Sequence, residues 1–364
     1  MEVAATWEYF QSSNDFGDID RVLYYASAEL KNLTPEAYYQ YRVGSMEFGW
    51  SSDFFFQAKR NFEPNTPVKF ILYGDLGVGE QVEETMASLK KDLASHQYEA
   101  IIHFGDFAYN LGSDLGKVGD IFMETIEPVA AFLPYMVTQG NHEVSWVNNP
   151  GQYEKRFKMP GNTTNLWYSF TGGQVYFVAF TDELVFQQRN ETQKEQMEWL
   201  EAELKSIDRE QYPWVVGLSH RPMYCSADMT KEATDEEGYE ELGVRWIRSN
   251  PDCIQQATTV RETFEELFYK QGVDLLINGH VHGYERLGPA YQNQSMGCTE
   301  ETLHTCVGAK APITIISGIP GQDESYAPAS PTPLPWSLVQ DAEKGTDDLQ
   351  SITRRIYTGN RSVQ

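Results

Sequence analysis

Five short stretches of this chain carry side chains of the kinds that hold metal ions. They are Gly74-Asp75-Leu76-Gly77, Gly105-Asp106-Phe107-Ala108-Tyr109, Gly140-Asn141-His142-Glu143, the His220 of Leu218-Ser219-His220-Arg221-Pro222, and Gly279-His280-Val281-His282. Seven residues in them, Asp75, Asp106, Tyr109, Asn141, His220, His280 and His282, read as the ligands of a binuclear centre. Carboxylate, phenolate, amide oxygen and imidazole together suit hard or borderline ions such as Fe, Mn or Zn, not a thiolate site. The glycines before Asp75 and Asp106 let the backbone turn sharply and approach an ion closely. Two imidazoles spaced by two residues fall on one side of an extended loop, which suits two adjacent ions. Taken singly, each Gly-Asp pair and Gly-Asn-His-Glu fits an ordinary turn, and His280 and His282 fit surface histidines. The chain, however, has only seven histidines, and four of them, His142, His220, His280 and His282, fall in these loops.

The elements around the loops alternate between short apolar strands and amphipathic helices. Strands are expected at Val68 to Tyr73, Ala100 to Phe104, Tyr135 to Thr138, Val175 to Phe180, Trp214 to Leu218, Val273 to Ile277 and Ile313 to Ile316. Helices are expected at Gln81 to Ser95, near Val118 to Ala131, at Thr192 to Ile207 and at Thr259 to Tyr269. The candidate ligands follow the C-terminal ends of strands, the edge at which open α/β sheets gather ligands. Residues 1–60 differ. Leu23 to Leu30, Tyr38 to Val43 and Phe54 to Phe56 read as strands between turn signals. The stretch from Leu33 to Gly44 is similar to the later strands of a fibronectin-III-like sandwich, which needs about seven strands in roughly 100 residues. Three or four fit, so the chain is expected to begin inside such a domain. Residues 61–67 read as a linker.

Among 364 residues the formal net charge is -25, which disfavours a basic nucleic-acid surface. That charge suits an acidic compartment, or serves solubility alone. No apolar run has the length of a membrane span, and the N-terminus lacks a basic start and an apolar signal core. Five acceptor tripeptides, at Asn32, Asn162, Asn190, Asn293 and Asn360, point to a secretory route, secreted or lysosomal. The four cysteines fit no zinc spacing. Cys298 and Cys306 flank a polar loop that a disulfide would close, and Cys225 with Cys253 would close a larger one. The alternative is four free thiols, which the acceptor tripeptides disfavour.

Taken together, the motifs resemble the purple acid phosphatases, a branch of the binuclear metallophosphoesterases. The resemblance runs from about residue 25 to about Trp336. It includes Gln196 to Leu204 and Gly283 to Arg286, and His220-Arg221-Pro222-Met223-Tyr224-Cys225-Ser226 is especially similar to the animal long-chain members. It implies a two-sheet α/β sandwich flanked by helices over 68–336, preceded by the partial fibronectin-III-like segment. It also implies hydrolysis of phosphate monoesters in acid by a metal-bound hydroxide, on an Fe(III) paired with a divalent Zn, Fe or Mn. Tyr109 separates this branch from related protein phosphatases, since a phenol whose ordinary pKa is about 10 is held as phenolate by a strongly acidic ion such as Fe(III). By resemblance, Asp75, Tyr109 and His282 bind the iron, Asn141, His220 and His280 bind the divalent ion, and Asp106 bridges them. His142 is implied to contact the phosphoryl group or protonate the leaving oxygen. His103 reads as packed behind the site, and His96 and His304 as surface residues.

The chain departs from the family in three places. The acidic stretch from Asp228 to Gly243 has none of the further histidines of plant members, so leaving-group protonation falls to His142 alone. Gly318-Ile319-Pro320-Gly321-Gln322-Asp323-Glu324 lacks the usual cysteine before its acidic residue. Residues 337–364 are polar and lack the apolar strands expected to close the second sheet, so they read as a divergent or truncated tail. A phosphodiesterase or nucleotide pyrophosphatase on the same site, and a catalytically silent truncated isoform, stand as the alternative functions.

Overall fold

A computed structural model describes residues 2–13, 19–62, 66–95, 97–144, 151–161, 163–187, 189–226, 253–302, 305–318, 320–321 and 333–341. The first segment is β-structured in three separate two-stranded ladders. β1 (Thr6–Ser13) pairs with β2 (Ile19–Ser27), β3 (Tyr38–Tyr41) with β6 (Phe54–Gln57), and between the latter lie β4 (Gly44–Ser45) and β5 (Gly49–Trp50). β1 is an addition to the strands expected from sequence. Trp7, Tyr9 and Tyr24 are exposed, but the hairpin is docked on the following domain: Arg21 pairs with Asp120, Glu8 with Lys155 and Lys158, and Tyr25 donates to Gln152 at 2.6 Å.

After residue 67 two sheets stack. β7 (Phe70–Tyr73), β8 (Ala100–Phe104) and β9 (Tyr135–Thr138) form a parallel three-stranded sheet whose crossovers carry α1 (Val82–Ser95) and α2 (Lys117–Ala130). Two short helices follow, α3 (Asn141–Val144) and α4 (Gly151–Arg156). The second sheet draws on β10 (Tyr168–Gly172), β11 (Val175–Ala179), β12 (Trp214–Leu218), β13 (Leu275–Asn278) and β14 (Tyr284–Leu287). The helices of this half are α5 (Glu183–Phe186), α6 (Asn190–Ser206) and α7 (Cys253–Lys270). Two hairpins, β15 (Ala290–Tyr291) with β16 (Gln294–Ser295) and β17 (Glu300–Thr302) with β18 (Thr305–Val307), precede β19 (Ile313–Ser317) and β20 (Ser337–Asp341). The seven-stranded order is β10-β11-β12-β13-β19-β14-β20, with β11, β12, β13 and β19 parallel. Residues 337–341 thus extend the sheet past Trp336 by pairing with β14, although their composition carries no strand signal.

Side-chain alternation builds three core layers. On β8, Ile102 and Phe104 face Phe177, Val216, Leu218 and Ile277 of the second sheet, while Ile101 joins Met86, Leu89, Phe122 and Val129 of the helices outside. Phe180, Leu276 and Ile316 pack under Leu200, Phe264 and Phe268 of α6 and α7. The α/β two-sheet sandwich with helices outside is the architecture that the resemblance implied, built from the alternating strands and helices of the apolar pattern. Both disulfides are formed, Cys225–Cys253 and Cys298–Cys306, with Cα atoms 6.3 and 5.4 Å apart. The larger one spans 28 residues and ties the start of α7 to the loop after β12, a closure that stabilises by about 3–4 kcal/mol in a chain-entropy account.

Candidate metal centre

β7, β8, β9, β12 and β13 all release their loops at one edge of the sandwich, and the five motifs meet there. The backbone is strained where it matters. Asp75, Asp106, Tyr109 and His280 have φ of 62°, 52°, 49° and 66°, a region that costs side-chain-bearing residues about 1–3 kcal/mol each and collects at functional sites. Glycine makes the convergence possible. A Cβ on Gly105 would lie 2.5 Å from His220 Nδ1, and one on Gly279 would lie 2.2 Å from Asp75 Oδ2.

The candidate ligands fall into two groups. In the first, His282 Nε2 lies 3.4 Å from Asp75 Oδ1 and 2.9 Å from the Tyr109 hydroxyl. In the second, His220 Nε2 lies 3.2 Å from Asp106 Oδ2 and 3.1 Å from Asn141 Oδ1. One ligand atom each of Asp106, His220 and His280 lie within 4.8 Å of one another. Asp75, Asp106, His220, His280 and His282 are buried, and Tyr109, Asn141 and His142 are half-buried at the mouth. His220 Nδ1 donates to the Phe104 carbonyl at 2.9 Å, which leaves Nε2 facing the centre. Asp75 Oδ1 is buried with no hydrogen-bond partner. An orphaned carboxylate oxygen beside imidazole and phenol is costly without a cation, so the donor set fits metal ions.

Electrostatics point the same way. Burial raises the Asp75 carboxyl above its ordinary range. Burial also opposes ionisation of Asp106, but His220 and His142 outweigh it and hold that carboxyl well below the usual range. His220 is disfavoured as a cation by burial, yet Asp106 and Asp75 push it up to about 10. Burial, then Arg221 and His220, push His280 well below 6.5. Without metal, Asp106 and Asp75 favour the protonated form of His220. A metal ion held there would compete with that proton, so its uptake would be linked to proton release.

His142 donates its backbone N–H to Asp106 Oδ1 at 2.9 Å, and its Nε2 lies 3.9 Å from Asp106 Oδ2. Its Nδ1 is 2.9 Å from Asn110 Oδ1, which orients the ring. His103 is fully buried, packed on Phe107, with Nδ1 2.8 Å from the Tyr135 hydroxyl. His96 and His304 lie outside the described residues. Three supporting groups escaped the sequence reading. Glu143 accepts the backbone N–H groups of Asp106, Phe107 and Gly140 at 2.8, 3.1 and 2.9 Å, so one carboxylate fixes two ligand loops. Its place inside the Gly-Asn-His-Glu motif was the available signal. Arg221, beside His220, pairs with Glu183, and Asp182 accepts the Arg221 N–H at 2.7 Å. Gln256 on α7 reaches His280. These last contacts join segments remote in sequence, and no local spacing announces them.

Asp182 carries a pH signature. Burial first, then Glu183, raises its carboxyl from 3.8 to about 7. Between those values the folded state keeps a proton that the unfolded chain has released. Stability of the metal-free protein should therefore be full below the lower value and fall as pH rises towards the upper one. Asp182→Asn keeps an acceptor for Arg221 and should flatten that slope in a series of melting temperatures. An unchanged slope would assign the dependence elsewhere.

Residues 68–284 match the family model "Calcineurin-like phosphoesterase". The "Acid phosphatase type 7" of Danio rerio is 38% identical over 342 residues, covering 91% of this chain and 72% of the relative. The human protein of the same name is 37% identical over 351 residues, covering 93% and 73%. A purple acid phosphatase structure from yellow lupin seeds (Lupinus luteus) superposes with a TM-score of 0.72 at 23% identity, covering 94% of this chain. This chain spans 61% of the lupin protein's length. A phosphoesterase model over more than half the chain, and animal relatives above the identity at which folds and families coincide, leave one assignment: the chain belongs to the purple acid phosphatase family of calcineurin-like phosphoesterases.

Proposed function

We propose that this protein is a metal-dependent acid phosphatase that hydrolyses small phosphate monoesters at a binuclear centre of Fe(III) and a divalent Zn, Fe or Mn ion. Asp75, Tyr109 and His282 would hold the iron, Asn141, His220 and His280 would hold the divalent ion, and Asp106 would serve both. The observation that carries this reading is the separation of the donor atoms into two groups, Asp75–His282–Tyr109 and Asp106–His220–Asn141, on adjacent loops. When bound, the two cations lower the pKa of water to give hydroxide in acid and neutralise charge on the phosphoryl oxygens. The protein's own part is positional. Glu143 holds the loops of Asp106 and Gly140, Asn110 holds the His142 ring, and His142 delivers a proton to the leaving oxygen.

The proposed division of the chain is a partial fibronectin-III-like segment over 1–60, a linker over 61–67, a catalytic domain over 68–336 and a tail over 337–364. Its start is supported by the family match beginning at residue 68 and by the β content of the first segment, whereas the pairing of Ser337–Asp341 with β14 carries the catalytic sheet to residue 341, five residues into the expected tail. We also place the protein on the secretory route. Asn32, Asn190 and Asn293 are exposed and the cysteines are paired, both of which suit that route, while Asn162 and Asn360 lie outside the described residues. No described helix is long and apolar enough to cross a membrane.

The test is metal analysis with visible spectroscopy and an aryl phosphate assay. Purified protein should hold iron and a second metal, turn over best below neutral pH and be inhibited by phosphate. A phenolate on Fe(III) gives a visible band, and Tyr109→Phe should abolish it while the other ligands still hold metal. Iron-loaded protein without a band, or a variant retaining it, would move the chain to another metallophosphoesterase branch. Preference for diesters or nucleotide pyrophosphates would favour that reading of the same site, and intact metal without turnover would favour a silent isoform.

A further inference from the structure

The contacts around His280 point to an unassigned role for a residue on α7. Gln256 is buried, and its Oε1 lies 2.6 Å from His280 Nε2. The same oxygen accepts a hydrogen bond from Arg221 Nη1. Arginine only donates, so this contact fixes which end of the Gln256 amide faces inward: it is the oxygen. An amide oxygen facing a ring nitrogen at that distance requires the nitrogen to carry the proton. His280 is therefore held as the Nε2–H tautomer, and Nδ1 is the nitrogen left with a lone pair for a metal. Arg221 Nη1 also lies 2.9 Å from His280 Nε2, where a bond would need that nitrogen as the acceptor; the shorter contact to Gln256, which would then set two lone pairs against each other at 2.6 Å, decides for the Nε2–H form.

Each link in this chain is anchored. The Arg221 guanidinium is paired with buried Glu183, and its backbone N–H is held by Asp182. Gln256 sits one helical turn after Cys253, whose disulfide to Cys225 fastens the start of α7 to the segment that carries His220 and Arg221. Gln256 thus reaches His280 across 24 residues through a helix that a covalent bond positions.

We propose that Gln256 is a positioning residue for the divalent half of the centre: oriented by Arg221, it sets the tautomer and the ring plane of His280. Partners of this kind raise ligand basicity, and their loss costs about 10- to 100-fold in metal affinity. The proposal rests on the assignment of His280 to the divalent ion under Proposed function.

Two substitutions separate the hydrogen bond from the volume. Gln256→Met has nearly the same length and no strong acceptor; Gln256→Glu keeps an acceptor at the same reach. Divalent-metal affinity is read by competition of Zn against a chromophoric chelator on the iron-loaded protein. The visible tyrosinate band serves as an internal record of the iron half. Gln256→Met should weaken Zn binding by about 10- to 100-fold with the band unchanged, and Gln256→Glu should bind Zn at or above the wild-type affinity. Wild-type Zn affinity in Gln256→Met would overturn the proposal. So would equal losses in both variants, which would make Gln256 a packing residue only. A wild-type protein that takes up no second metal would instead overturn the binuclear reading, and the two failures are thereby distinguishable.

Discussion

Asp106→Ala should empty the centre of both metals and abolish turnover together. The two carboxylate oxygens of Asp106 serve different neighbours: Oδ2 faces His220 and Oδ1 accepts the His142 N–H. Removing it takes away the proposed bridge and leaves His220 buried without its counter-charge. The loss of activity should exceed the roughly 10- to 100-fold that follows removal of an outer partner of a metal ligand. Asp106→Asn is the companion variant. It keeps the shape and an acceptor for His142 but loses the charge, so it should fold as the wild type does and still fail to retain both ions. Metal content by elemental analysis, beside a melting curve, checks this. A folded Asp106→Ala protein with its full complement of metal would remove Asp106 from the coordination sphere.

His142→Ala should have the second-largest effect and a different character. The variant keeps the backbone N–H that donates to Asp106 Oδ1, so the loop and both ions should stay. What it loses is the imidazole, whose Nδ1 is held by Asn110 and whose Nε2 faces the centre at the half-buried mouth. A positioned general acid contributes about 10²- to 10⁴-fold, and the need for it grows as the leaving oxygen becomes more basic. Turnover of alkyl phosphates should therefore fall further than turnover of an activated aryl phosphate. Equal losses on the two substrate classes would count against proton donation and leave His142 a phosphoryl contact. The absence of other histidines from the acidic stretch between Asp228 and Gly243 makes this test sharper, because no second imidazole there can substitute.

The motifs that carry the seven candidate ligands and the order of the strands before them were legible in the sequence because each is written locally, whereas the sequence left the cysteines open between two disulfides and four free thiols. A glycine, a ligand and a preceding apolar strand occupy a few adjacent positions, and because each motif follows its strand, the parallel strands deliver their loops at the same, C-terminal edge. Ala100 to Phe104, Tyr135 to Thr138 and Trp214 to Leu218 appear in the structure at the bounds their apolar runs set. Tyr168–Gly172 and Tyr284–Leu287 were not read as strands, since polar and glycine positions interrupt them. They are strands because β11 and β19 offer partners to pair with. Ser337–Asp341 becomes a strand for the same reason, at an edge where β14 supplies the hydrogen bonds that composition does not advertise.

The support of the centre was decided only by the tertiary structure. Glu143 was visible as part of a motif, but its job, accepting N–H groups from two separate loops, exists only once β8 and β9 lie side by side. Asp182, Glu183, Arg221 and Gln256 carry no spacing signal at all. Their meaning comes from burial, which obliges every polar atom to find a partner and so converts proximity between remote segments into a fixed set of hydrogen bonds. The sequence by itself determined which side chains offer donor groups for a metal, because ligand chemistry belongs to the side chain. Which nitrogen of His280 faces the metal, and how firmly the ring is held, are properties of the packed interior and had to wait for it.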